Sequence, residues 1–315
     1  MAVIKNMKKK ILLLFLVPVL LVGTNAGPLQ AAEDERAALQ KYPSRETQRP
    51  ITMGKHLYET NLSISSLSTD RAWNEDGEVV ETYGPYNLFT AELMIRYGLS
   101  ESWQVSATLP YITGEIGETT GGSIGDIRAG LEYELFFGPR NSMSFAAEAS
   151  YPSGLSDYHY EILGEDLRAK NFRTGDPGYN VYPSMAYRYR SESFSFRLRA
   201  TGVFTGPGEI RFNQIRGFEK NVDMDPGDGY RAKVGFYYQF HDKWAGGLFG
   251  RYVTISASEV DGESLEDDNE LFEARPFLAY QPNQKLDVSL GVGVPVYGRN
   301  NPLGYPVLLE VRSRF

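Results

Sequence analysis

The chain has 315 residues, with 32 lysines and arginines against 40 aspartates and glutamates, and no cysteine. A net charge of −8 argues against nucleic acid as a partner, and the missing thiols exclude disulfides, thiolate metal sites and a lipid-modified N-terminal cysteine. Tyrosine, phenylalanine and glycine are frequent and no long helical periodicity is present, which points to an all-β chain.

Residues 1–32 read as a secretory signal peptide. Lys5, Lys8, Lys9 and Lys10 precede an apolar run from Ile11 to Val22, and small residues follow, with cleavage expected after Ala26 or Ala32. The run is too short for a spanning helix, which needs about 20 residues. Removing the signal takes four lysines, leaving 28 basic residues against 40 acids and a net charge near −12. Residues 33–56 are polar. This segment either hangs in the periplasm or folds into a bore as a plug, and both readings stay open.

From residue 57 twelve segments of alternating character follow, near 57–67, 86–98, 103–112, 125–136, 143–152, 178–190, 194–204, 229–240, 244–255, 271–280, 285–296 and 304–315. Most have the length of a strand crossing a bilayer at a tilt. Connections after the even segments are tight ("GPRNS", "HD", "QPNQ"), whereas most of those after the odd ones are long ("STDRAWNEDGEVVETYGP", "GPGEIRFNQIRGFEKNVDMDPGD"). A sheet trimmed at one end and shaggy at the other, with an even strand count, predicts a 12-stranded antiparallel up-and-down transmembrane β-barrel of the outer-membrane type over 57–315.

Which face meets lipid is decided by where the aromatics fall. Tyr97, Trp103, Tyr189, Phe194, Phe240, Trp244, Tyr280 and Phe315 lie at the short-turn ends of the apolar rows. Tyr111, Tyr151, Tyr179, Phe204, Tyr230, Tyr252 and Tyr305 lie at the long-loop ends, with aliphatic residues such as Val105, Leu198 and Leu290 between. Such rings match the interfacial girdles of a membrane barrel, where a soluble core would put its bulk in the middle. The terminal "PVLLEVRSRF" fits: Val307, Leu309, Val311 and Phe315 face lipid, and Phe315 resembles the signal read by the outer-membrane assembly machinery.

Parity then puts the charges in the lumen. An acidic wall is expected from Glu92, Asp126, Glu132, Glu134 and Glu148, with Glu59, Arg96 and Arg128 on the same strands. A basic wall is expected from Arg188, Arg190, Arg197, Arg199, Arg231, Lys233 and Arg251. Glu273, Arg275, Asp287, Glu310, Arg312 and Arg314 complete the ring. Opposed walls make a transverse field that orients and filters solutes, or an ion-pair network that braces the barrel. Both readings stay open, although twelve basic residues against nine acids favour a wet bore.

Enzymatic signals are weak. Of the three histidines, His56 precedes the first strand, His241 sits in a tight turn and His159 lies in a long loop near Ser156 and Asp157. Asp223, Asp225 and Asp228 are weak calcium candidates, since their spacing departs from the EF-hand loop. No phosphate-binding glycine loop and no cofactor site is found.

One stretch is familiar as a unit: "YGLSESWQVSATLPYI" (97–112), "GGSIGDIRAGLEYEL" (121–135) and "EASYPSG" (148–154). It resembles the outer-membrane transporter family associated with the meta-cleavage (MetA) pathway of phenol degradation. The matching positions include Tyr97, Gly98, Leu99, Leu109, Pro110, Tyr111, Gly125, Asp126, Gly130, Tyr133, Pro152 and Gly154. The resemblance implies uptake or export of small, often aromatic or hydrophobic, compounds and no catalytic residues. The charged bore itself suits a polar solute at least as well. The expectation is a channel passing small solutes through a charged lumen, in contact with bilayer lipid and lipopolysaccharide. The alternatives are a structural or adhesive barrel with a closed, salt-bridged interior, and a lipid-modifying enzyme using His159.

Overall fold

The computed structural model describes residue 43 and residues 45–116, 119–156, 158–163, 166–169, 174–214, 218–265 and 267–315. The signal segment lies outside them. Twelve strands follow one another: β1 Tyr58–Trp73, β2 Val79–Gly98, β3 Trp103–Ile116, β4 Thr119–Ile124 resuming at Ile127–Phe136, β5 Asn141–Tyr151 and β6 Asn180–Arg190. The second half comprises β7 Phe194–Thr205, β8 Gly229–His241, β9 Trp244–Ile255, β10 Asn269–Tyr280, β11 Leu286–Val292 resuming at Val294–Arg299, and β12 Val307–Arg314. Each pairs antiparallel with the next, and β12 returns to β1 from Glu59↔Arg314 to Ser66↔Val307. The sheet is closed and leaves no unpaired edge, as a structure surrounded by hydrocarbon must.

The burial pattern is that of a globular protein turned inside out. Leu198 and Leu290 are 46% and 54% exposed, whereas Glu59, Glu134, Arg188 and Arg314 are each at most 1% exposed. A wall with leucine outside and ionised groups inside is stable only with lipid around it. Aromatic pairs mark both rims. At the short-turn end they are Tyr58–Tyr97, Trp103–Tyr133, Tyr189–Phe194 and Trp244–Tyr280, and at the long-loop end Tyr151–Tyr179 and Tyr230–Tyr252. Among the described residues no helix is long and apolar enough to cross a membrane.

The long-loop end differs from expectation in one respect. Much of what the alternation leaves as loop is strand. β1 and β2 continue pairing through Thr69↔Tyr86 and, past a bulge, from Arg71↔Glu81 to Trp73↔Val79, so that only a short turn containing Gly77 (φ +77°) remains. Further on, 158–163, 166–169, 208–214, 218–225, 259–260 and 263–264 form a separate six-stranded sheet. Ile210, Val222 and Met224 pack together in it with Val260. The strands 208–214 and 218–225 do alternate apolar and polar residues, but at seven and eight residues they are shorter than the segments that cross a bilayer, so they read as loop.

Candidate functional site

The short-turn mouth of the barrel is occupied. Residues 45–57 cross it as an irregular strap with a single 3-10 turn, Glu46–Gln48, and Glu46, Thr47, Arg49, Thr52 and Met53 are all below 5% exposed. Outside that turn the strap has no helical or strand pairing of its own, so its backbone groups need partners from the barrel wall. Glu134 of β4 accepts from the N–H groups of Ile51 (3.0 Å) and Thr52 (2.7 Å) and from the Thr52 hydroxyl (2.8 Å). Gln104 of β3 accepts from the Met53 N–H at 2.9 Å. Arg188 of β6 donates to the carbonyls of Glu46 and Pro50, and Arg190 to that of Gln48 at 3.2 Å.

Glu46 is the hub of this strap. Its carboxylate meets Arg49 at 3.1 Å, Arg312 of β12 at 3.3 Å and Arg188 at 3.6 Å. Burial disfavours its ionisation, but Arg312, Arg188 and Arg49 outweigh that and hold the carboxyl well below the usual carboxylate range. Arg49 in turn reaches Asp287 of β11 at 2.5 Å, which Arg314 also contacts at 2.6 Å. The strap leaves the mouth through a tight turn, with Leu57 N–H bonded to Gly54 O and His56 N–H to Gly98 O. Gly98 is required there, since a Cβ would run into the Gly54 carbonyl, and His56 takes a left-handed φ of +66°.

The acidic wall is mostly neutralised close to home. Arg96 pairs with Glu59, Arg128 with Glu92 and, at 3.5 Å, with Glu148. Glu132 accepts from Gln104 (2.7 Å) and Ser144 (2.6 Å) and pairs with Arg199 from β7. Asp126 stands at the break in β4, where its oxygens accept from the N–H groups of Gly154 (3.0 Å) and Asp176 (2.8 Å). It pins the connection after β5 rather than lining an acidic face.

The basic wall divides in two. Arg188 and Arg190 hold the strap and Arg199 meets Glu132. Arg197, Arg231, Lys233 and Arg251 have no carboxylate within 4 Å among the described residues. Arg199, Lys233, Arg251 and Glu273 are register partners in one row across β7, β8, β9 and β10. Glu273 forms its ion pair with Arg275 at 2.6 Å. Arg231 has its guanidinium 5.5 Å from the Tyr182 ring centre.

Parity also places Tyr237, Phe249 and Phe277 on the inner face beside these cations, an aromatic group that charge alone does not single out. Their rings meet at 5.1, 4.9 and 4.8 Å. The calcium candidates do not gather. The Asp223 carbonyl accepts from the Asp261 N–H and the Asp223 N–H donates to the Asp261 carboxylate, while Asp228 accepts from the Thr205 N–H at 2.8 Å. Among the described residues no three carboxylate or imidazole groups converge on a metal position. His56 touches the Tyr97 hydroxyl (3.1 Å), and the turn residue His241 accepts from the Lys243 N–H (3.3 Å). His159 is in the short strand Tyr158–Leu163, while Asp157 lies outside the described residues.

The family described as "Putative MetA-pathway of phenol degradation" matches residues 81–310. The chain belongs to this family. The matched stretch contains the Gly98 turn and the Asp126 knot, so three of the familiar motif residues, Gly98, Asp126 and Gly154, seat the strap or pin the connection after β5. An outer membrane channel from Pseudomonas putida F1 superposes with a TM-score of 0.64 at 15% identity, covering 86% of this chain and 98% of that one. The KdgM porin gives 0.45 at 10% identity over 82% and 99%, and a variant of the TodX monoaromatic hydrocarbon channel 0.42 at 11% over 88% and 92%. No curated protein matches the chain.

Proposed function

We propose that this family member is an outer-membrane channel that passes small solutes through its lumen, gated at the periplasmic mouth by the strap 45–57. The carrying observation is chemical: the stopper is held by ion pairs and hydrogen bonds centred on Glu46 and Glu134, not by a continuous apolar core. A stopper held mainly by polar contacts in a polar bore exchanges most of them for water, with Ile51, Met53 and Leu57 as its buried apolar side chains, so it can leave. The short turns then face the periplasm, the six-stranded loop sheet faces lipopolysaccharide, and the exposed Phe315 is the side chain offered to the assembly machinery.

Single-channel recording in planar bilayers tests this reading. Glu46→Gln leaves Arg49, Arg188 and Arg312 without their shared anion. Breaking such a buried pair costs about 3 kcal/mol, roughly a hundredfold in docking. We expect rare openings for the unaltered barrel and frequent ones for Glu46→Gln. Silence from both, in folded protein, would favour the salt-bridged structural barrel instead.

A further inference from the structure

The lumen above the strap is lopsided. On β7 to β10 the inner face carries Arg197, Arg199, Arg231, Lys233, Arg251 and Arg275, and among the described residues the only carboxylates paired with them are Glu132 and Glu273. Arg197, Arg231 and Arg275 each retain a buried Nε–H without an acceptor. Lys233 is exposed although it points inward, so water reaches it through the bore. Four cations gathered with no carboxylate in ion-pair contact among the described residues repel one another, and an arrangement of this kind is relieved by a bound anion.

What lies next to the cations narrows the kind of anion. Phe249 is one same-face step from Arg251, about 7 Å along the wall, and is the register partner of Arg275 on the next strand. Its ring covers Gly235 on the neighbouring strand, where an added Cβ would come within 2.6 Å of it. Phe277 covers Gly247 in the same way, at 2.8 Å. Both rings are therefore laid flat along the wall, stacked at 26° to each other, instead of standing into the bore. Tyr237, only 4% exposed, closes the floor edge-on. A flat apolar shelf beside uncompensated guanidinium and ammonium groups is complementary to a flat apolar molecule with a negative end.

We propose that the lumen holds a binding site for small aromatic carboxylates, with Lys233, Arg251 and Arg197 taking the carboxylate and Phe249 and Phe277 taking the ring. This names the solute class for the channel proposed above and rests on that reading. A neutral arene leaves the cations unpaired, and an aliphatic anion leaves the shelf empty.

Calorimetric titration of the full-length, detergent-solubilised protein tests it, with benzoate, phenol, cyclohexanecarboxylate and acetate as probes. Benzoate is expected to bind about tenfold or more tightly than each of the other three. Lys233→Gln combined with Arg251→Gln should weaken benzoate by at least that factor, whereas Phe277→Leu should erase the preference over cyclohexanecarboxylate and keep anion binding. Lys233→Gln alone, at a side chain reaching into open lumen, carries the same test should the double variant not fold. Phenol binding as tightly as benzoate, or variants binding like the parent, overturns the proposal. The two readings separate cleanly: a Glu46→Gln barrel that conducts but does not bind benzoate overturns only this inference. A barrel that binds benzoate and never conducts overturns the channel.

Discussion

At the scale of single residues, Glu46 shows how a buried charge can work as a latch. Its ionised form is favoured by Arg312, Arg188 and Arg49, so its folded pKa lies below the value it has when the strap is free. A depressed carboxylate contributes stability above its free pKa, near 4.3, and loses it as pH falls from there toward the folded value. Docking of the strap should therefore be insensitive to pH between about 5 and 8 and weaken below about 4. Open probability recorded across that range checks this, and openings that increase between pH 8 and 6 would point to a different latch. Glu46 itself was hidden in the sequence: in "SRETQRP" it is one acid in a polar segment, and its partners lie as far away as Arg188 and Arg312. The lumen residues were easier. Their inward direction follows from parity alone, which also held the clue to Phe249 and Phe277, two residues from Arg251 and Arg275 on the same rows.

At the scale of elements, the barrel strands were legible because a bilayer imposes a two-residue alternation and aromatic ends on each of them. The break in β4 and the connection it pins were not. Asp126 reads as another inward acid, but the chain steps out of register between Ile124 and Ile127, and the carboxylate turns to the N–H groups of Gly154 and Asp176. Asp126→Ala leaves those donors without their acceptor, at about 1–3 kcal/mol. Limited proteolysis should then cut faster between residues 152 and 178, with the barrel intact. Equal cutting in both proteins would mean that Asp126 is not the pin. The loop sheet is missed because of its dimensions: its two longest strands alternate as the barrel strands do, pairing Ile210 with Val222 and Glu209 with Asp223, but at seven and eight residues they fall short of a bilayer-crossing length.

For the molecule as a whole, the inverted burial predicts an asymmetric response to charge. Leu290 is 54% exposed on the outer wall between the girdles, and Ser289 is its inward neighbour, bonded to Glu310 at 3.3 Å. Leu290→Arg should destabilise the barrel in lipid by about 2–4 kcal/mol, as an arginine at mid-bilayer does. Ser289→Arg faces the wet interior and should cost far less. Reversible unfolding in liposomes compares the two, and equal losses would contradict the assignment of faces.

The seam between β12 and β1 has a consequence for how the molecule comes into being. Glu59 and Arg314, which meet there, are separated by nearly the full barrel sequence, so the first strand waits for the last before either has neighbours on both sides. Until that moment two bare ladders of peptide groups exist, and no partial cylinder is at rest in oil. Contacts so distant along the chain also form slowly. Completion is thus a single late event, and a nascent copy must be sheltered until its two ends find each other.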